Sequence, residues 1–115
     1  MEIIYKNKRV EKQFDPAFKQ TWTYPKQVQL KLEAAENFIR HAVSLADLAV
    51  YAPYHLEKLL GDRLGQWSIR VGHTGYRVLF YPCDADGEPL LSGDVLAACR
   101  SIHIVLITEV SNHYE

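Results

Sequence analysis

Apolar and polar side chains alternate along two neighbouring segments in the middle of the chain. The apolar positions that share one face recur at every second residue: Trp67, Ile69 and Val71, then Tyr76, Val78 and Phe80. A period of two is typical of strands with one buried face. Residues 72–75 between the segments contain two glycines, as a four-residue hairpin loop requires. The pattern therefore predicts an antiparallel hairpin.

The polar face of this hairpin is predicted to place Arg70 directly opposite Arg77. Like charges that face each other across two strands destabilise a sheet by roughly 0.2–1 kcal/mol. The arrangement thus predicts an anion held between the two side chains, and it predicts that Arg77 contributes little to the core. Two alternatives remain open at this point. Both side chains extend separately into water, or a bulge in the turn shifts the register and separates them.

A helical spacing of apolar residues precedes the hairpin. After Pro25, the apolar positions recur at intervals of three and four: Val28, Leu32, Ala35, Ile39 and Val43. This spacing predicts a helix that opens at Pro25 and covers one face of the sheet. Shorter helices are predicted over residues 6–12 and after Ser44, which has the side chain of a helix N-cap. Another helical turn is predicted over residues 17–21, after the Asp15-Pro16 step.

The remaining strands are predicted at residues 2–5, 55–60 and 101–110. The last of these is apolar on both faces near its centre, as expected of a strand with a partner on each side, and it contains His103. Residues 82–94 are rich in Asp, Gly and Pro and predict an exposed excursion. The order of elements predicts an α+β fold, a small and mostly antiparallel sheet with N-terminal helices packed on one face.

Size and composition restrict the class of protein. The chain has 115 residues, of which 48% are apolar and 23% charged, as expected of one globular domain over residues 1–115. A net charge of −1 argues against a broad basic surface and limits any RNA contact to a local patch. Cys83 and Cys99 are too few for a disulfide framework or a zinc site and are predicted to be free thiols. No segment resembles a membrane span or a signal peptide, so we expect no membrane partner and a cytoplasmic location.

Three segments resemble a known family. Residues 55–71 read HLEKLLGDRLGQWSIRV, residues 76–80 read YRVLF, and residues 109–115 read EVSNHYE. Together they are similar to the RelE/ParE toxin superfamily, closest to its HigB-like branch, and the order of elements follows that family over nearly the whole chain. The resemblance implies the toxin of a type II toxin-antitoxin system. It also implies two partners, a cognate antitoxin of helix-turn-helix type and mRNA in the ribosomal A site, which the toxin cleaves.

The resemblance also implies the residues that act. It implies that the catalytic residues are His55, Lys58, Arg77, His113 and Tyr114, and that Arg70, Arg77 and Lys58 bind the substrate phosphate. His55 and Lys58 are three residues apart and would face opposite sides of a regular strand, so a bulge or a strand end is needed to bring them together.

These residue types suit RNA cleavage without a metal or cofactor. The 2′-OH of the RNA is the nucleophile, and histidines, which titrate near neutral pH, can accept and donate the protons. Arginine and lysine stabilise the charge that develops on the phosphate, and a tyrosine can stack on an unpaired base. The alternatives are a ParE-like toxin that inhibits DNA gyrase without being a nuclease, and a non-toxic binding module of the same fold.

Overall fold

The computed structural model describes residues 1–15, 24–61 and 63–112. Within these ranges the chain forms one five-stranded sheet with the strand order β1-β5-β4-β3-β2. The strands are β1 Glu2–Tyr5, β2 Glu57–Lys58, β3 Trp67–Arg70, β4 Tyr76–Cys83 and β5 Ile104–Asn112. β1 runs parallel to β5, and the other neighbouring pairs are antiparallel. The predicted α+β fold with a mostly antiparallel sheet is confirmed.

The helices lie between β1 and β2 in the chain. They are α1 Lys8–Lys12, α2 Lys26–His41 and α3 Leu45–Val50, and short 3₁₀ turns follow at Ala52–Tyr54 and Cys99–Ser101. Asn7 caps α1 by accepting a hydrogen bond from the Val10 N–H, and Ser44 caps α3 in the same way from Ala46. The turn predicted at residues 17–21 lies outside the described residues. None of the described helices combines the length and the apolar character needed to span a membrane.

The main helix covers one face of the sheet with the predicted apolar stripe. Its buried residues are Val28, Leu32, Ala35 and Ile39, and they belong to one core with Ile69, Val78, Phe80, Val105 and Ile107 of the strands. Val43 is the exception, because α2 ends at His41 and the Val43 side chain is 76% exposed. The helical period cannot place a residue that follows the end of the helix. The prediction that Val43 continues the stripe is therefore wrong.

The predicted hairpin is confirmed in its register. Ile69 pairs with Val78 on the face that α2 covers, and Arg70 pairs with Arg77 on the other face. The Val71 N–H donates to the Tyr76 carbonyl at 3.0 Å and closes the loop of residues 72–75. The sequence signal was sufficient here because the turn fixes the register of the strands that it joins.

Three strands have limits that differ from those predicted. β4 continues through Pro82 and Cys83, which are buried, so the prediction that the exposed excursion begins at residue 82 is wrong. β2 contains only Glu57 and Lys58, since the chain enters it from a 3₁₀ turn whose last residue is followed by His55 in the left-handed conformation. β5 begins at Ile104, after the second 3₁₀ turn. His103 therefore precedes the strand, where its Nδ1 lies 2.8 Å from the Val43 carbonyl oxygen.

Candidate functional site

The sheet has a second face that α2 does not cover, and the register defines which side chains point to it. One cross-strand row on this open face contains Glu57, Ser68, Leu79 and Glu109. The next row contains Arg70, Arg77 and Ser111. Charged side chains of both signs therefore lie in neighbouring rows of one surface. This surface is the candidate site.

Arg77 is held in place on the open face. Its side chain is only 13% exposed, and its Nη1 donates to Glu57 Oε1 at 3.2 Å and to Ser68 Oγ at 3.5 Å. The negative charge near Arg77 thus comes from the chain itself. Arg77 does not belong to the hydrophobic core, as predicted, but its guanidinium joins β4 to the edge strand β2.

Arg70 has a different environment from its cross-strand neighbour. Its side chain is exposed, and it forms no ion pair with any residue that the structure describes. One arginine of the opposed pair is thus fixed by a carboxylate and the other is free to meet an external anion. Glu57 largely balances the charge of Arg77. The net positive charge of the pair therefore comes from Arg70.

A second ion pair lies on the same face. Arg63 Nη1 donates to Glu109 Oε1 at 3.1 Å and to Gln66 Oε1 at 3.3 Å. Gln66 in turn donates through Nε2 to Thr108 Oγ1 at 2.6 Å. Thr108 occupies the β-bulge of β5, where the register shifts between Leu79 and Phe80. The bulge thus supports the amide that helps to position Arg63.

Close packing fixes the loop that carries Arg63. Gly65 has φ +80°, and a Cβ at this position would come within 3.1 Å of the Leu91 Cα. Any other residue would combine backbone strain with a clash against the backbone of Leu91. The Gln66 N–H also donates to the Arg63 carbonyl at 3.0 Å. The Arg63 backbone is therefore tied to the start of β3.

A cavity of about 290 Å³ opens between the two ion pairs. Leu79 lies at its base with only 4% of its surface exposed. Leu59 and Leu60 line one part of it, and Arg63, Arg77 and Ser111 supply polar groups. The cavity therefore has a mostly polar lining in which leucine side chains lie between two guanidinium groups.

His55 lies immediately before β2, on an exposed part of the chain. Its backbone has φ +45°, a left-handed conformation in which histidine is found more often than most residues. The preceding Tyr54 packs against Phe38 of α2, with ring centroids 5.0 Å apart. β2 begins two residues later, at Glu57, so His55 lies outside the strand that contains Lys58.

The register does not bring Lys58 to the arginines. Lys58 pairs with Trp67, whose side chain belongs to the core on the helix-covered face, whereas Glu57 pairs with Ser68 on the open face. Paired residues of neighbouring strands share a face of the sheet. The structure thus groups Arg70 and Arg77 and places Lys58 on the other side. His113 and Tyr114 lie outside the described residues.

The sequence analysis missed three charged residues of this surface: Glu57, Arg63 and Glu109. Glu57 can be assigned to the open face only when its pairing with Ser68 of β3 is known. Arg63 lies in a loop, which has no periodic signal. Among the residues that the structure describes, no three side chains of His, Cys, Asp or Glu come together as a group of metal ligands.

Comparison with known proteins adds no assignment. No protein-family model matches the chain, and no curated protein matches it in sequence.

Proposed function

We propose that this chain is the toxin of a type II toxin-antitoxin system and that it cleaves mRNA in the ribosomal A site. The observation that carries the proposal is the position of Arg77 beside a cavity on the open sheet face. Its Nη1 lies 3.2 Å from Glu57 Oε1, and this ion pair holds the guanidinium in place. A guanidinium that is fixed before substrate binds stabilises developing charge without further reorganisation. The resemblance to the RelE/ParE superfamily supports the same assignment.

The proposed reaction needs only the RNA and the side chains of the chain. The 2′-oxygen attacks the adjacent phosphorus while its proton passes to a base, and the 5′-oxygen of the next nucleotide leaves with a proton from an acid. The products are a 2′,3′-cyclic phosphate and a 5′-OH. Arg77 and Arg70 would bind the non-bridging oxygens, and His55 and His113 are the proposed proton carriers.

Charge on the open face agrees with a small phosphate site. Arg63, Arg70 and Arg77 lie near Glu57 and Glu109, so three positive side chains face two negative ones. Such a surface would hold naked RNA weakly, because non-specific affinity depends on many phosphate contacts. A ribosome would compensate by presenting the mRNA in place. The proposed substrate also puts the protein in the cytoplasm.

Expression of the chain alone, followed by mapping of mRNA ends, tests this proposal. We expect arrested translation, cuts within reading frames and 2′,3′-cyclic or 3′-phosphate ends. Free RNA should be cut far less than ribosome-bound RNA. A 3′-OH at the cut, or cleavage at a 2′-deoxy residue, would exclude the mechanism. Altered plasmid supercoiling with intact mRNA would instead support gyrase inhibition. If neither mRNA cleavage nor a change in supercoiling occurs, the chain is a non-toxic binding module.

A cognate antitoxin is the proposed protein partner, and a neighbouring gene for a helix-turn-helix protein would support it. Inhibition requires only that the antitoxin deny RNA access to the open face, or that it hold Tyr114 away from it. Complex formation should therefore slow amide exchange in β3, β4 and β5. Protection confined to α1, α2 and α3 would contradict this mode of inhibition.

A further inference from the structure

The cavity on the open face combines two kinds of wall. Leu59 and Leu79 supply apolar surface, and Leu79 is nearly buried beneath it. Arg63 and Arg77 supply guanidinium groups that belong to separate ion pairs. A site for a phosphate alone would not need the leucines. A site for an apolar group alone would not need the arginines.

Hydrogen bonds restrict the orientation of the Arg63 side chain. Two acceptors, Glu109 Oε1 and Gln66 Oε1, lie within 3.3 Å of the same Nη1 atom, and they restrict the orientation of the guanidinium plane. Glu109 offsets the charge of Arg63 and would repel a phosphate at this end, whereas Arg70 adds an exposed positive charge beside Arg77 and favours a phosphate there. A neutral aromatic ring avoids that conflict, because guanidinium planes stack on nucleobases.

We propose that this cavity binds one unpaired nucleobase next to the phosphate held by Arg77, with Arg63 as its stacking surface and Leu59 and Leu79 as its apolar wall. The inference rests on the proposed function for the identity of the natural ligand, a nucleotide of RNA. Pockets for whole small ligands have volumes of about 300–1,000 Å³. The cavity, at about 290 Å³, lies at the lower limit of this range, which suits a small ligand fragment such as one base.

The contribution of the base can be measured without any cleavage. Adenosine and uridine 5′-monophosphates are titrated into the ¹⁵N-labelled chain, and ribose 5-phosphate serves as the matched ligand that lacks only the base. We expect chemical-shift changes at the amides of Leu59, Leu79 and Ser111. The nucleotides should bind roughly fivefold or more tightly than ribose 5-phosphate, as expected for one stacked base.

Variants of Arg63 separate stacking from charge. Arg63→Ala should abolish the difference between nucleotide and ribose 5-phosphate, while the affinity for ribose 5-phosphate stays within about twofold, because Arg77 is unchanged. Arg63→Lys keeps the charge opposite Glu109 but lacks the plane, so it should also lose most of the difference. Arg100→Ala, on the exposed 3₁₀ turn that contacts α3, is the control and should change nothing.

Equal affinities of the unaltered chain for nucleotides and ribose 5-phosphate would overturn the inference. Shift changes confined to the helices would overturn it as well. Failure of the proposed function gives a different result. If the chain prefers nucleotides but cuts no mRNA, the base site is supported and the nuclease assignment is excluded. A chain that cuts mRNA without a preference for the base keeps the nuclease and loses the base site.

Discussion

Arg77 Nη1 and Glu57 Oε1 lie 3.2 Å apart across the intervening strand β3, with Ser68 Oγ close to the same nitrogen. The ion pair connects β4 to a β2 edge strand that has only two residues. It gives Arg77 a structural role in addition to its proposed role at the phosphate. The two roles can be separated by comparing stability with activity.

Arg77→Ala should destabilise the fold. Removal of a side chain that is 13% exposed takes away both the ion pair and the packing of its stem, and we expect a loss of about 1–2 kcal/mol of unfolding free energy. The coupling with Glu57→Gln should be about 1 kcal/mol or less, because Glu57 is 45% exposed and water screens the pair. Urea unfolding of the two single variants and the double variant measures both quantities. Unchanged or increased stability of Arg77→Ala would show that the ion pair does not hold β2.

Arg77 and Lys58 should differ strongly in their effect on mRNA cleavage. Arg77→Lys keeps the charge but loses the planar fork, and we expect cleavage to fall by roughly 10²-fold or more. Lys58→Ala should lower cleavage by less than about tenfold, because the register turns Lys58 to the face of Trp67. Quantified cut ends at equal levels of folded protein provide the comparison. Equal losses in the two variants would mean that Lys58 reaches the phosphate around the sheet edge.

Val43 and Ile39 should differ in their effect on stability, although the sequence places both on one helical stripe. Ile39 is fully buried in the core, and Ile39→Ala should cost about 2–5 kcal/mol. Val43 is 76% exposed, and Val43→Ala should stay within about 0.5 kcal/mol of the original chain. Thermal or urea unfolding checks both values. A large loss of unfolding free energy in Val43→Ala would contradict the exposed position of this side chain.

Cys83 should make the fold less stable in alkaline solution. Burial, with a smaller contribution from the charge of Asp84, raises the pKa of the Cys83 thiol to about 11. An unfolded thiol ionises near pH 8.5, so between roughly pH 8.5 and 11 the unfolded chain loses this proton first and stability falls by about 1 kcal/mol per pH unit. Its contribution is fully present below that window.

Urea unfolding between about pH 8 and pH 10 measures this dependence. Cys83→Ala should show a shallower decline than the original chain, whereas Cys99→Ala, at a less buried position, should decline as the original does. Burial also raises the pKa of Tyr24 and of Tyr54, so the difference between the variants, and not the total slope, isolates the thiol. Identical slopes in all three proteins would contradict an ionisation linked to Cys83.

The sequence by itself determined the features that depend on local period and turn chemistry. Alternation from Trp67 to Phe80 and the short glycine-containing loop were sufficient to predict the hairpin and the pairing of Arg70 with Arg77. The spacing after Pro25 predicted the buried face of α2. These signals succeed because the neighbours of each residue along the chain fix the direction of its side chain.

Only the tertiary structure decided the partners of the charged residues. Glu57 meets Arg77 because β2 and β4 both pair with β3, and Arg63 meets Glu109 across 46 positions of the chain. The tertiary structure also placed Lys58 on the face opposite the arginines and ended α2 before Val43. Such contacts depend on strand pairing and on loop packing between distant segments, which no local period records. The sequence therefore determined the faces of the elements, and the fold determined which charges share a surface.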